Sequence, residues 1–185
     1  MNNTQHIVKI IDENVNEIEA LIQQKVDIWF DYIVFSPLWW FGVAFSIIPW
    51  IIWIFFHKKE SRDRLLYSGF VVMVISIVLD VLGDQWALWH YRFNVVPVLP
   101  TYLPWDLTLM PVTILYILQF KPNASPFLKA IFFALLTSYI GEPFFQWMKV
   151  YHAANWKFTY SVPIQMIIYF IAHFVSTRKN FSELK

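Results

Sequence analysis

Four carboxyl side chains, Asp80, Asp84, Asp106 and Glu142, stand in sequence that is otherwise apolar. The run around Asp106, TYLPWDLTLMP (101–111), holds no lysine or arginine. An acid at the centre of a membrane helix costs roughly 2.5–3.5 kcal/mol on insertion scales, and less near the interface. Even at half that value, four acids would cost roughly 5–7 kcal/mol together, comparable to a domain's whole margin of stability. Three kinds of chemistry can offset this cost. One or more carboxyls can carry a proton, which would make Asp106 and Glu142 candidate general acids. Carboxylate oxygens can hold a hard cation. Or Arg92 and a histidine can close an ion network with the acids, His90, His152, Lys149 and Lys157 being the other basic residues on that side. No HExxH run is present, so metal ligands stay unassigned, as does any cofactor.

The elements that must position these groups are membrane helices. The chain of 185 residues is 58% hydrophobic and 15% charged, against about 45–50% and 25% in soluble domains. A bilayer core of about 30 Å calls for about 20 mostly apolar residues per helix. Five stretches approach this: 38–56, 65–83, 104–120, 126–145 and 162–176. SPLWWFGVAFSIIPWIIWIFF is apolar on every side of a helix, which a soluble bundle does not explain. The fold class expected is all-α, a polytopic membrane bundle of about five spans over 37–185, preceded by an amphipathic segment over 1–36. A net charge of +1 gives no reason to expect a nucleic-acid partner, and the absence of cysteine removes disulfides and thiolate chemistry.

Charge sets the direction of the spans. Lys58, Lys59, Arg62, Arg64, Lys121, Lys129, Arg178, Lys179 and Lys185 all fall at one end of the expected bundle. If that end is cytoplasmic, a plasma-membrane protein with its N-terminus outside and its C-terminus inside results. All four acids then lie toward the outer end. In the N-terminal segment, Ile7, Ile11, Val15, Ile18, Ile22, Val26 and Trp29 make one apolar stripe at spacings of four and three. It suits a helix on the membrane or bundle surface, or one that pairs with a second copy or a membrane partner. Its acidity disfavours anionic lipid heads.

Helical spacing sharpens the site. Asp80 and Asp84, four apart, share a face with Ser76 and Gly83. Ser138, Gly141, Glu142 and Gln146 form a similar stripe on the fourth span, and Gln165, Tyr169, Ala172, His173 and Ser176 on the fifth. Small residues allow close helix approach, and polar ones hydrogen-bond across it. The stripes are expected to face one another, with Asp106 closing the set. The expected ligand-binding residues are therefore Asp80, Asp84, His90, Arg92, Trp105, Asp106, Glu142, Gln146, Gln165 and Tyr169. Pro49, Pro111 and Pro143 can each free a backbone carbonyl within a span.

The second and third spans are echoed in the fourth and fifth. LGDQW (82–86) is similar to IGEPFFQW (140–147), and an aromatic loop with a histidine follows each. DQWALWHYRF, YLPWDLTLMPVT and GEPFFQW resemble a family of small multispan membrane proteins common in Gram-positive spore-formers. That resemblance spans roughly residues 38 to 180 and implies the topology without an activity. PWD (104–106) and PIQ (163–165) also distantly resemble the P-x-E-E/D motif of small-subunit carotenoid cyclases, with Leu107 and Met166 where the second acid stands in that motif. Two classes of function follow. One is an outward-facing acidic pocket that binds a cation, a proton or a small amphiphile. The other is a membrane enzyme acting on an isoprenoid or lipid through a protonated carboxyl, with aromatic walls to stabilise a carbocation.

Overall fold

The computed structural model describes residues 3–178; Lys179 and Lys185 of the basic tail lie outside the described residues. The chain folds as an all-α bundle. Helix α1 (Asn3–Ile28) runs through a π-helical turn, Trp29–Ile33, to α2 (Pro37–Phe56) and α3 (Arg62–Gln85). A second π-helical turn, Pro104–Leu109, leads directly into α4 (Met110–Gln119). A third, Thr137–Gly141, joins α5 (Pro126–Leu136) to α6 (Glu142–Trp147) as one rod. Helix α7 (Phe158–Ser176) closes the bundle. Strands β1 (Trp89–Tyr91) and β2 (Tyr151–Ala153) pair antiparallel.

Local chemistry explains several helix starts. Ser36 is extended, and its side chain accepts the Trp39 N–H at 3.2 Å. Pro37 then takes the first helical position, where its missing N–H costs nothing. Proline also opens the Pro104 and Pro126 segments.

Four helices have the length and apolar composition to cross a membrane: Pro37–Phe56, Lys59–Gln85, Pro126–Trp147 and Phe158–Ser176. The remaining expected span, 104–120, folds as six π-helical residues followed by ten α-helical ones. At 1.5 Å per residue such a rod reaches only about 24 Å. Its surroundings explain how it tolerates that. Pro104, Asp106, Thr108, Met110, Pro111, Val112, Ile114, Leu115 and Leu118 are all buried, so it meets protein on most sides. It packs against α2 and α3, with α5 and α7 also in contact.

Helix α3 buries one stripe: Leu65, Ser68, Gly69, Val72, Ser76, Asp80 and Gly83. Its small members let α4 and α7 approach closely. Ser68 donates across the gap to the Ala172 carbonyl at 2.8 Å, and Gly69 meets the Leu115 methyls. Pro111 has no N–H to offer the Leu107 carbonyl four residues back. The Trp50 indole N–H supplies the bond instead, at 2.9 Å from α2. At the opposite end of the bundle the Lys58 N–H reaches Gln119 Oε1 at 3.2 Å, joining the two basic links.

Helix α1 has no buried residue, and its apolar stripe is exposed along its length. It is fastened at its C-terminal end, where Trp29 donates to the Asn94 carbonyl at 2.7 Å.

Candidate functional site

The acid-bearing ends of α3, α6 and the Pro104–Leu109 turn meet beneath the β1–β2 ribbon. The ribbon is built from the two aromatic loops that echo each other in sequence. They pair residue for residue: Trp89 with Ala153, His90 with His152, Tyr91 with Tyr151. Side chains alternate along a strand, so Trp89, Tyr91 and Tyr151 point to one face and both histidines to the other. On the first face lies a cavity of about 260 Å³. Its wall includes Ser76, Asp80 and Gly83 of α3, Trp105 and Asp106 of the central helix, Glu142 and Phe145 of α6, and Ser161, Gln165 and Ile168 of α7. Trp89, Tyr91, Tyr102, Tyr151 and Trp156 roof it. Leu82 and Trp86 line it too and are exposed, so the cavity meets the surface beside them.

Asp80 is 5% exposed and accepts three bonds. Its Oδ1 takes the Trp89 indole N–H at 2.7 Å and the Tyr91 hydroxyl at 2.8 Å, and its Oδ2 takes the Tyr102 backbone N–H at 3.0 Å. Asp106 is 1% exposed, with the Ser76 and Thr101 hydroxyls donating to its two oxygens. Asp80 and Asp106 line the cavity together. Ser161, which lines the cavity with Glu142, accepts the Trp156 indole N–H at 2.8 Å. Glu142 Oε2 is buried without a partner, and so is Gln165 Oε1. Burial, reinforced by Asp80 and Asp106, pushes the Tyr91 phenol well above its ordinary value. Tyr102 is raised by burial and Tyr151 by burial with Glu142 and Asp80 nearby. All three phenols are thereby held in their neutral form.

Asp80, Trp105, Asp106, Glu142 and Gln165 thus line one cavity, while Asp84, Gln146, Tyr169, His90 and Arg92 do not. From Asp80, Glu142 and Gln165 the lining continues at a three-residue step. Gly83 lies three past Asp80, Phe145 three past Glu142, and Ile168 three past Gln165, and all line the cavity. Asp84 falls one turn beyond it at the helix end, bonded by Gln85 at 3.4 Å. Gln146 is exposed. Tyr169 is buried in the core against Phe133 and His173. His90 sits on the ribbon's outer face with its ring 4.9 Å from that of His152.

The expected ion network does not form around these acids. Arg92 is exposed and reaches the Lys149 carbonyl at 3.5 Å. Among the described residues the ion pairs are Lys9–Glu13 and Arg62–Asp63, both exposed and on other elements. No three His, Asp or Glu side chains converge on a point among the described residues. Sequence reasoning missed Tyr91, Tyr102, Tyr151, Thr101, Ser161 and Trp156. The first and third carried a signal, because each echoed loop holds a tyrosine next to its histidine, Tyr91 after His90 and Tyr151 before His152. Tyr102 contributes through its backbone N–H, which no residue type announces.

The chain matches no family model, no curated protein and no solved structure. Its functional reading therefore rests on this geometry.

Proposed function

We propose that this is a multi-pass plasma-membrane protein whose outward-facing acidic cavity binds the end of a small amphiphile, in a transport, sensing or accessory role. One observation carries the reading. Glu142 Oε2 and Gln165 Oε1, both buried and both without a partner, belong to residues lining the same aromatic-walled cavity. Unpaired buried polar atoms cost about 1–3 kcal/mol each, and an occupant with a polar end would remove that cost. The exposed Leu82 and Trp86 offer a lateral entry from lipid. The basic residues support this orientation: Lys58, Lys59, Arg62, Arg64, Lys121 and Lys129 lie at the end away from the cavity, as the positive-inside rule expects of a cavity that faces outward.

The test is to purify the protein in native nanodiscs and identify what travels with it by mass spectrometry. Ile164 lines the cavity, so Ile164→Trp fills it. A molecule bound by the native protein and lost from this variant supports the reading; identical lipid profiles would refute it.

A second reading has its own support in the buried Asp106 carboxyl, which lines the cavity with Asp80. A protonated carboxyl so placed would serve as a general acid. Asp106 would deliver its proton to a carbon–carbon double bond of an isoprenoid, and Trp105, Tyr151 and Trp156 would face the resulting carbocation. Under this reading Asp106→Asn inserts normally and abolishes a product visible in lipid extracts. An unchanged extract between expressing and non-expressing cells sinks it.

A further inference from the structure

Resting on the amphiphile reading, the chemistry of the occupant's polar end can be assigned. Among the cavity-lining residues, the unpartnered buried atoms are Glu142 Oε2 and Gln165 Oε1, both acceptors, and the Tyr102 hydroxyl, which lies toward α2, 3.3 Å from where a Gly42 Cβ would stand. Gln165 is 7% exposed, so its partner must come from inside the cavity. A hydroxyl has one proton to give, whereas a primary ammonium has three. Charge favours the ammonium as well. Three carboxyls line the cavity and no lysine, arginine or histidine does. Asp80 is already occupied by Trp89, Tyr91 and Tyr102, and Asp106 by Ser76 and Thr101. Glu142 is the carboxyl left with a free oxygen.

The remaining wall suits the same group. Trp89 and Trp156 have their N–H edges tied to Asp80 and Ser161, so what they turn to an occupant is carbon. Aromatic faces attract cations, more strongly where water is excluded. A divalent metal would find no convergent set of three ligands among the described residues, and an anion would meet carboxyls. The volume, about 260 Å³, falls under the roughly 300 Å³ lower end of drug-sized pockets. It fits a short chain, or the end of a long one.

We infer that the cavity takes a primary alkylammonium, its N–H groups shared between Glu142 and Gln165 and its chain against the tryptophans.

The full chain in nanodiscs is titrated with octylamine, octanol and octyltrimethylammonium, with quenching of tryptophan fluorescence as the readout. Octylamine is expected to bind at least tenfold more tightly than either of the others, octanol lacking the charge and octyltrimethylammonium lacking the N–H. Glu142→Gln, with folding checked by circular dichroism, is expected to bring octylamine down to the level of octanol. Equal binding of octylamine and octanol, unaltered by Glu142→Gln, would overturn the ammonium assignment and leave the amphiphile reading standing. Equal binding of the two amines would overturn the sharing of N–H groups. Binding of none of the three would overturn both the inference and the reading beneath it.

Discussion

Gly83→Ala tests the cavity's construction through a single methyl group. A Cβ built on Gly83 would lie 1.9 Å from one atom of the Trp89 ring and 2.3 Å from two others. Carbon atoms in contact sit about 3.5–4.0 Å apart, so the indole must move by about 1.5 Å or more. That shift breaks its 2.7 Å bond to Asp80 and disturbs its edge contact with Trp156, at 5.0 Å between ring centres. Overpacking costs about 1–3 kcal/mol, and loss of a hydrogen bond to a charged group about 1.5–3 kcal/mol. Alanine returns about 1 kcal/mol in helix propensity. The net destabilisation is roughly 1.5–5 kcal/mol, to be read from reversible unfolding in mixed micelles. Trp89→Ala removes the obstacle. In the double variant Gly83→Ala should then be neutral or stabilising, a coupling that a double-mutant cycle isolates. Gly69→Ala is the control, because its Cβ would meet only Leu115 side-chain atoms at 3.3–3.6 Å. If Gly83→Ala costs no more than Gly69→Ala, or adds independently to Trp89→Ala, the placement of Trp89 is wrong.

Trp50→Phe strands the Leu107 carbonyl that Pro111 leaves unbonded and should cost about 1–3 kcal/mol; Pro111→Ala in the same chain restores a backbone donor and should recover part of it, measured by the same unfolding assay. Asp80→Asn turns an amide toward a site that faces three donors; it should destabilise by about 1–3 kcal/mol and weaken the protection of the Tyr102 amide in hydrogen exchange, and an unprotected Tyr102 amide in the native protein would contradict the bond. Burial, then the His152 and Arg92 charges, hold His90 below the ordinary histidine value, against a pull from Asp84 and with a further push from Lys25. As pH falls through about 6.5 the opened ribbon takes up a proton that the closed ribbon refuses until lower pH. Ribbon stability should therefore decline from about pH 6.5 down to the folded value and then level off. Exchange of the Arg92 amide, bonded to the Val150 carbonyl at 2.9 Å, reads this after correction for intrinsic rates, and His90→Gln should flatten the profile.

Much of the bundle is legible because lipid imposes a length and an apolar composition on each span. The segment 104–119 is the instructive exception. Its apolar run marks it as a span, but its place at the centre, where neighbouring helices satisfy it, lets it be shorter than the bilayer demands. The acids are visible for the same reason in reverse, since each is costly in such sequence. Their partners are not. Asp80 is satisfied by an indole and a phenol from the short strand β1, residues 89 and 91, and by a backbone N–H from the loop at residue 102, none of which a helical periodicity dictates. Arg92 attracted attention as a cation near acids. It lies one residue past Tyr91, which points inward, and strand alternation turns it out with His90.

The echoed dipeptides Gly83-Asp84 and Gly141-Glu142 show how one sequence device serves two ends. Each glycine makes room for a tryptophan that lines the cavity. Gly83 admits Trp89, and Gly141 admits Trp105, whose ring would stand 2.8 Å from an added Cβ. The acid that follows then diverges with the local geometry. Asp84 comes at the last turn of an unbroken helix and rotates out over the rim. Glu142 follows the π-helical turn 137–141, where the Glu142 N–H bonds Thr137 five residues back, and that wider turn leaves the carboxyl on the cavity wall. Such turns recur at functional sites because they re-aim side chains without ending the helix. The same device sets Asp106, inside the turn Pro104–Leu109, against Ser76 and Thr101. Two of the three cavity carboxyls thus owe their direction to an extra residue in a helical turn, and the third, Asp80, to an undisturbed helix that needs the ribbon to satisfy it. The ribbon is therefore part of the site and not a cover over it.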